Sequence, residues 1–482
     1  MNNKCFKNTT FTLETRLNKQ NSKELIDYFK LLVPYYAKIY RFVWQDVKRK
    51  TISILIRNKS KYNTFLQNKF SISKRTASSI INDILGKYNA LLALKKYEIK
   101  QIEGKSKKII KQINILKEKI NKTKLLIANN KATLFQLKNY KKNKNNLYKK
   151  QQKINYLKIK TINIQKQIDT GKFSICFGTK KLFKAQHFLK ENNFKTHEKW
   201  LNVFRKNRDK NIYYWGSSTE TACNSEFQLK NLFNDCYQIK VRTIDCLSNT
   251  KSIYGQCRFK YKFLEEYLKE NLLLNKNKDK CVALSYRIVF RDKKIYLQCV
   301  FVFDKNIFNN KNDIFTTKTF GTVGLDYNKG FIQLAETNSI GNLINLKKFD
   351  LKYHGTGNKA KSEIREQVAK IIKYCKSKNK SLIIENLDFI KTKSQIIKAK
   401  SNKGKKRNKM IHDFDYSRYK QCIGNACVRN NIELILVNPA YTSKIARQKY
   451  CKQRSLGVHQ GASYVITRRG QGFKDCYNKN II

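Results

Sequence analysis

Apolar residues follow three successive rhythms along this chain, and each rhythm predicts a different kind of structure. Thr9-Thr10-Phe11-Thr12-Leu13-Glu14-Thr15-Arg16-Leu17 alternates in part, as a strand with one buried face does. Apolar positions then recur at helical spacing from Leu25 to Trp44 and again from Ser71 to Ala90, which predicts two helices. From about Leu91 to Lys160 the spacing becomes sevens, fours and threes through Ile102, Ile109, Ile113, Leu116, Ile120, Ile127 and Leu134. That is the seam of a long amphipathic helix or helical hairpin.

Residues 171–318 carry the second rhythm, in short β-rich runs at 237–242, 283–289 and 295–301, the last two joined by a hairpin turn at Arg291-Asp292-Lys293-Lys294. A small β-barrel or sandwich is the expectation. From Phe320 onward strands and helices alternate: strands near 321–337 and 343–350, a helix over 359–377, a strand at 382–387, a helix around 416–430, a strand at 433–438 and a last helix from Val458. This alternation predicts an α/β layer.

Charge narrows the choice of partner. Lys and Arg total 102 against 34 Asp and Glu, a formal net charge of +68 with pI near 10.0, so the natural partner is a polyanion and nucleic acid the first candidate. Lys, Asn, Ile, Tyr and Phe are all over-used, as A/T-rich codons also produce, so local clusters weigh more than the total. Residues 91–160 hold 21 basic and three acidic residues. Two readings of that stripe stand side by side, contact with phosphates and an ordinary solvated helical arm. Residues 391–409 hold nine basic residues and no acid, a basic insertion that codon drift explains less well.

Two acids stand where apolar residues belong. Gly321-Thr322-Val323-Gly324-Leu325-Asp326 reads as a buried strand carrying a carboxylate, and Leu382-Ile383-Ile384-Glu385 ends the same way. A buried carboxylate is costly unless its charge is compensated, and a divalent metal is a common compensator. Asp326 and Glu385 are therefore expected to be metal ligands.

The thirteen cysteines are scattered with no CxxC pair, which predicts reduced thiols and no zinc site; Cys422 and Cys427, the closest pair, read as packing. No 18-residue apolar stretch and no signal-like N-terminus is present, so no membrane partner is expected, nor secretion, and the location read from this is intracellular. Tyr213, Tyr214 and Trp215 suit either base stacking or, more often for such triplets, a core.

Several stretches together resemble the TnpB (OrfB) family of transposon-encoded, RNA-guided nucleases, relatives of the compact type V CRISPR effectors. They are Ser71-Ile72-Ser73-Lys74-Arg75-Thr76-Ala77, Glu220-Thr221-Ala222-Cys223-Asn224-Ser225-Glu226, Gly324-Leu325-Asp326, Ile383-Ile384-Glu385-Asn386, Tyr441-Thr442-Ser443-Lys444 and His459-Gln460-Gly461-Ala462-Ser463. Their order and spacing carry the likeness. It implies an α+β multidomain protein: a β-barrel wedge domain from residues 1–20 and 171–318, a long helical recognition insertion at 21–170, and a C-terminal RuvC-like α/β domain of RNase H fold at 319–482.

In that family the catalytic carboxylates lie on the first strand, the fourth strand and the start of a late helix. Asp326 and Glu385 match the first two. His459 falls at the third, where an aspartate is commoner, and Asp475 is the alternative ligand, with Asp413 and Asp415 also within reach of the sequence. The resemblance implies two Mg²⁺ (or Mn²⁺) ions that activate a water and stabilise the leaving oxygen at a phosphodiester. The family's four-cysteine ribbon is missing, since only Cys451 lies between Ser443 and His459.

Lys74 and Arg75, the insertion residues Lys403, Lys405, Lys406 and Arg407, and the helix-terminal Arg468 and Arg469 are the expected nucleic-acid contacts. The partners implied are a guide RNA and target double-stranded DNA. The reaction implied is metal-dependent DNA cleavage directed by the guide, in association with DNA in the cytoplasm or nucleoid or in an organelle stroma. A guided DNA-binding repressor with a weak or inactive metal site and a transposase acting directly in transposition are the alternatives.

Overall fold

A computed structural model describes residues 9–17, 20–50, 57–233, 235–291, 294–303, 316–353, 357–387, 401–402, 404, 408 and 416–477. The chain divides into two compact units, one from Thr10–Lys100 and Lys119–Phe308, the other from Met1–Thr9, Gln101–Glu118 and Asn309–Ile482.

In the first unit, strand β1 (Thr9–Arg16) leads into helices α1 (Lys23–Lys50) and α2 (Lys59–Phe70). Helix α3 (Lys74–Ala128) starts at Ser73, whose hydroxyl accepts from the Thr76 amide at 3.0 Å, the N-cap that serine favours. Helix α4 (Leu134–Thr170) starts at a Thr133/Gln136 capping box and stops at Gly171, which takes the left-handed conformation. The two helices are the expected hairpin. Ile120 is buried on α3 and Ile154, Leu157 and Ile164 on α4, and Lys160 reaches Glu98 at 2.7 Å; Ile102, Ile109 and Ile113, also buried, fall in the stretch of α3 that belongs to the other unit. Leu134, expected in the seam, is instead exposed, because α3 ends at Ala128 and Leu134 opens the next helix.

After α4 come helix α5 (His197–Arg208), strands β2 (Asn211–Tyr214), β3 (Phe227–Phe233), β4 (Cys236–Arg242) and β5 (Ser252–Arg258), helix α6 (Lys262–Lys276), and the hairpin of β6 (Ser285–Arg291) and β7 (Lys294–Phe303). They build a four-stranded sheet, β1-β7-β6-β2, and a three-stranded sheet, β3-β4-β5. Among the described residues neither sheet closes, so the expected barrel is corrected to two open sheets. Helix α1 takes the place of a closing layer: a side chain at Gly255 in the middle of β5 would meet Leu25 Cδ2 at 2.6 Å. The rings of Tyr214 and Phe227 meet at 5.4 Å, and Tyr214 is 5% exposed, so the middle residue of the aromatic triplet is core.

The second unit is built on five strands: β8 (Thr317–Asn328), β9 (Phe331–Thr337), β10 (Leu343–Asp350), β11 (Lys380–Glu385) and β12 (Leu434–Val437), in the order β10-β9-β8-β11-β12. The first three are antiparallel, whereas β11 is parallel to both β8 and β12. Helices α7 (Asn358–Lys378) and α8 (Tyr416–Arg429) cover one face, packing Ile364, Val368, Tyr419 and Ile423 on Val323, Leu325, Leu382 and Ile384. Helix α9 (Val458–Gln471) covers the other, where Ile466 meets Ile383, Ile435 and Val437. It lies close because Gly324 has no side chain; a Cβ there would sit 2.1 Å from Thr467 Oγ1.

Strand alternation now dictates where the two acids go. Val323, Leu325, Leu382 and Ile384 face α7 and α8, so Asp326 and Glu385 continue the opposite set and face α9. Among the described residues no helix is long and apolar enough to cross a membrane.

Candidate active site

Strands β8 and β11 run parallel with Leu325 registered opposite Ile384, so Asp326 and Glu385 are each one step past the last registered pair. They stand side by side at the C-terminal ends of two neighbouring strands, the place where open α/β sheets carry ligands. His459, second residue of α9, adjoins the first of them: its Nδ1 lies 3.0 Å from Asp326 Oδ2. His459 packs edge-on against the Phe331 ring, with centroids 5.2 Å apart, and its side chain is 52% exposed against 13% for Asp326.

Each carboxylate is held from a second direction. Asn328 Nδ2 donates to Asp326 Oδ2 at 2.9 Å, and Thr442 Oγ1 donates to Glu385 Oε1 at 2.8 Å. The Tyr416 hydroxyl donates to the Glu385 carbonyl and fixes the strand end. Burial pushes the Glu385 carboxyl up to about 7; the Thr442 hydrogen bond opposes this, the Asp326 charge adds to it, and Arg469 also opposes it. The protein thus leaves Glu385 short of positive charge.

Two neighbouring acids, one strongly desolvated, fit a divalent cation held between carboxylates. His459 fits such a shell too, since two donors about 2.1 Å from one octahedral ion sit about 3.0 Å apart. Among the described residues, however, no three His, Cys, Asp or Glu side chains form a group that holds a metal. One ion suits the donors present, and a second finds no third carboxylate among them.

The other expected residues are dispersed. Asp475 accepts from Arg468 Nε at 3.0 Å and from the Tyr450 hydroxyl at 2.8 Å, with Lys449 at 3.7 Å, so it belongs to a separate network. Arg468 also donates to the Gly341 carbonyl at 2.9 Å and stacks over Phe473 at 4.4 Å, which ties it into the fold. Arg469 donates to the carbonyls of Asn438 and Ala440 and lends its charge to Glu385. Arg75 pairs with Glu220, while Lys74 stands exposed at the start of α3. Lys403, Lys405, Lys406, Arg407, Asp413 and Asp415 lie outside the described residues, as does most of the basic insertion. Thr442, Asn328 and Tyr416 were not expected at the site; for Thr442 the signal was present, since it sits in the Tyr441-Thr442-Ser443-Lys444 stretch.

No protein-family model matches this chain, and no curated protein does. Among solved structures it is similar to the selenomethionine-derived Cas12i1 R-loop complex before target DNA cleavage, with 10% identity and a TM-score of 0.24 over 80% of this chain and 61% of that one. It is also similar to the Cas12i1-crRNA binary complex, with 13% identity and a TM-score of 0.21 over 93% of this chain and 55% of that one. The chain thus covers less than two thirds of the chains it matches. At such scores the functional reading rests on the residues.

Proposed function

We propose that this protein is an RNA-guided, divalent-metal-dependent DNA endonuclease of the kind its motifs resemble, with Asp326 and Glu385 as the metal-holding carboxylates. The observation that carries this is the placement of Asp326 and Glu385 at the ends of adjacent parallel strands, with the Glu385 carboxyl raised to about 7 by burial and, further, by the Asp326 charge. The resemblance expects carboxylates on the first and fourth strands and a ligand at the start of a late helix. Asp326 lies on the first of the five strands in chain order, Glu385 on the fourth, and His459 in the first turn of α9.

A divalent ion held there supplies Lewis-acid stabilisation and an activated water at a phosphodiester. The chain's own part is positioning. Asn328 and His459 hold the Asp326 carboxylate, Thr442 orients one oxygen of Glu385, and Arg469 adds positive charge near the pair. The ring nitrogen of His459 that does not face Asp326 has no partner among the described residues, so it is available to a ligand or a proton.

A guided DNA-binding repressor is the second reading, and the observation favouring it is the lack of a third carboxylate among the described residues. One experiment separates the two. The protein is expressed with its flanking locus, the ribonucleoprotein purified, and a plasmid library carrying a guide-matched target incubated with Mg²⁺ or Mn²⁺. Cleavage that disappears with Asp326→Ala supports the nuclease. Co-purified RNA and bound target that is never cut under either metal replaces it with the repressor.

A further inference from the structure

Two adjoining cavities in the first unit belong to no part of the carboxylate site. The smaller, of about 230 Å³, is walled by the rings of Tyr36, Tyr40, Phe177 and Tyr213. The larger, of about 770 Å³, is bordered by Phe183, Phe188 and Phe204. Arg41, Phe177 and Arg208 line both, which makes them one trough.

Its charge is unbalanced. In the smaller cavity Arg41, Lys87, Arg208, Lys210 and Arg287 face only Asp83 and Asp209. Asp209 is shared between Arg41 at 2.7 Å and Arg208 at 3.0 Å, and Asp83 holds Lys87 at 3.1 Å. Lys210 and Arg287 have no carboxylate partner among the described residues. The larger cavity adds Lys180 and Lys184 and no acid. Phe183 and Phe188 stand 44% and 55% exposed beside those lysines.

Surplus cations call for an anion, and uncovered rings call for a flat partner. A free phosphate answers only the first and an apolar ligand only the second, whereas a nucleotide answers both. The smaller volume is below the ~300–1,000 Å³ of drug-sized sites, which suits one base. The Tyr40 hydroxyl is buried there, and burial, with the nearby Asp83 adding to it, keeps it protonated.

We propose that this trough binds single-stranded nucleic acid, with one base unstacked into the smaller cavity, its phosphate on Lys210 and Arg287, and following bases on Phe183 and Phe188. The proposal deepens the guided reading and rests on it only for where the strand comes from; RNA and DNA strands share the chemistry. Binding is measured by fluorescence anisotropy with short single-stranded RNA and DNA, on the full-length protein carrying Asp326→Ala throughout. Cleavage, present or absent, then has no bearing on the result.

Lys210→Ala with Arg287→Ala is expected to weaken binding about tenfold and to lower the salt slope by about 0.7, the value for one single-strand phosphate contact. Phe188→Ala, at an exposed position, is expected to cost roughly fivefold or more through lost stacking. Lys373→Ala with Lys376→Ala, exposed on α7, removes the same charge elsewhere and should change little. RNA containing 4-thiouridine should crosslink to peptides holding Tyr40, Phe177 or Phe188. A preference for RNA or for DNA in the trough-dependent part names the source, and either supports the site. Equal losses in the two double variants, or crosslinks only outside the trough, would overturn it.

Discussion

Strand β11 carries a buried charged residue at each end, and the two ends are treated in opposite ways. At its start Lys380 Nζ meets Glu336 Oε1 at 2.7 Å and the Thr337 carbonyl at 2.7 Å, while the Tyr374 hydroxyl bonds the other Glu336 oxygen. Burial pushes the Glu336 carboxyl up, but the Lys380 and Tyr374 hydrogen bonds outweigh it and hold it below the ordinary value. At the strand's far end burial raises the Glu385 carboxyl to about 7, and its neighbour is a second acid, Asp326, whose charge adds to the rise. The same sheet compensates one carboxylate fully and leaves the other wanting. Perturbed carboxylates of the second kind are commoner at functional sites than in the body of a fold.

Four expected outcomes break or sharpen this contrast. The largest is at the open end: Asp326→Ala and Glu385→Gln each reduce metal-dependent cleavage to background, read as linearised plasmid. At the closed end, Lys380→Met leaves Glu336 buried without its cation and costs about 3–5 kcal/mol, measured by denaturant unfolding. Glu336→Gln combined with Lys380→Met recovers most of that loss, because no uncompensated charge remains.

Next comes pH. Between 4.5 and about 7 the folded protein keeps a proton on Glu385 that the unfolded chain has released. Stability of the metal-free protein is therefore fully present below about 4.5 and falls, by up to on the order of 3 kcal/mol, as pH rises toward 7. Glu385→Gln flattens that fall in a melting-temperature profile, so the variant that cannot cut is the more stable at pH 8. The smallest effect is at the supporting residues: Thr442→Val and His459→Ala each lower cleavage roughly 10–100-fold, with much of the loss for Thr442→Val recovered at higher Mn²⁺.

The contrast also shows what a sequence makes legible. Asp326 and Glu385 stood out because each interrupts or ends an apolar run, and strand alternation then fixed their common face. The closed end gave no such signal: Glu336 and Lys380 are adjacent only because β9, β8 and β11 lie next to one another, which is a property of sheet order. The same holds for the open sheets of the first unit, since strand runs announce strands and say nothing of whether outer strands meet. Asp475 and Arg468 looked like site residues by their place near the C-terminus, yet each satisfies the other. The trough draws on residues from Tyr36 to Arg287, too far apart in the chain for any local pattern to join them.

The central claim is that Asp326 and Glu385 are left uncompensated for a divalent cation. Titration of the full-length, RNA-free protein with Mn²⁺, followed by electron paramagnetic resonance, reads this directly. The account predicts a bound Mn²⁺ in the native protein that is lost in both Asp326→Asn and Glu385→Gln and kept in Lys380→Met. Equal Mn²⁺ binding by the native protein and both carboxylate variants would contradict it.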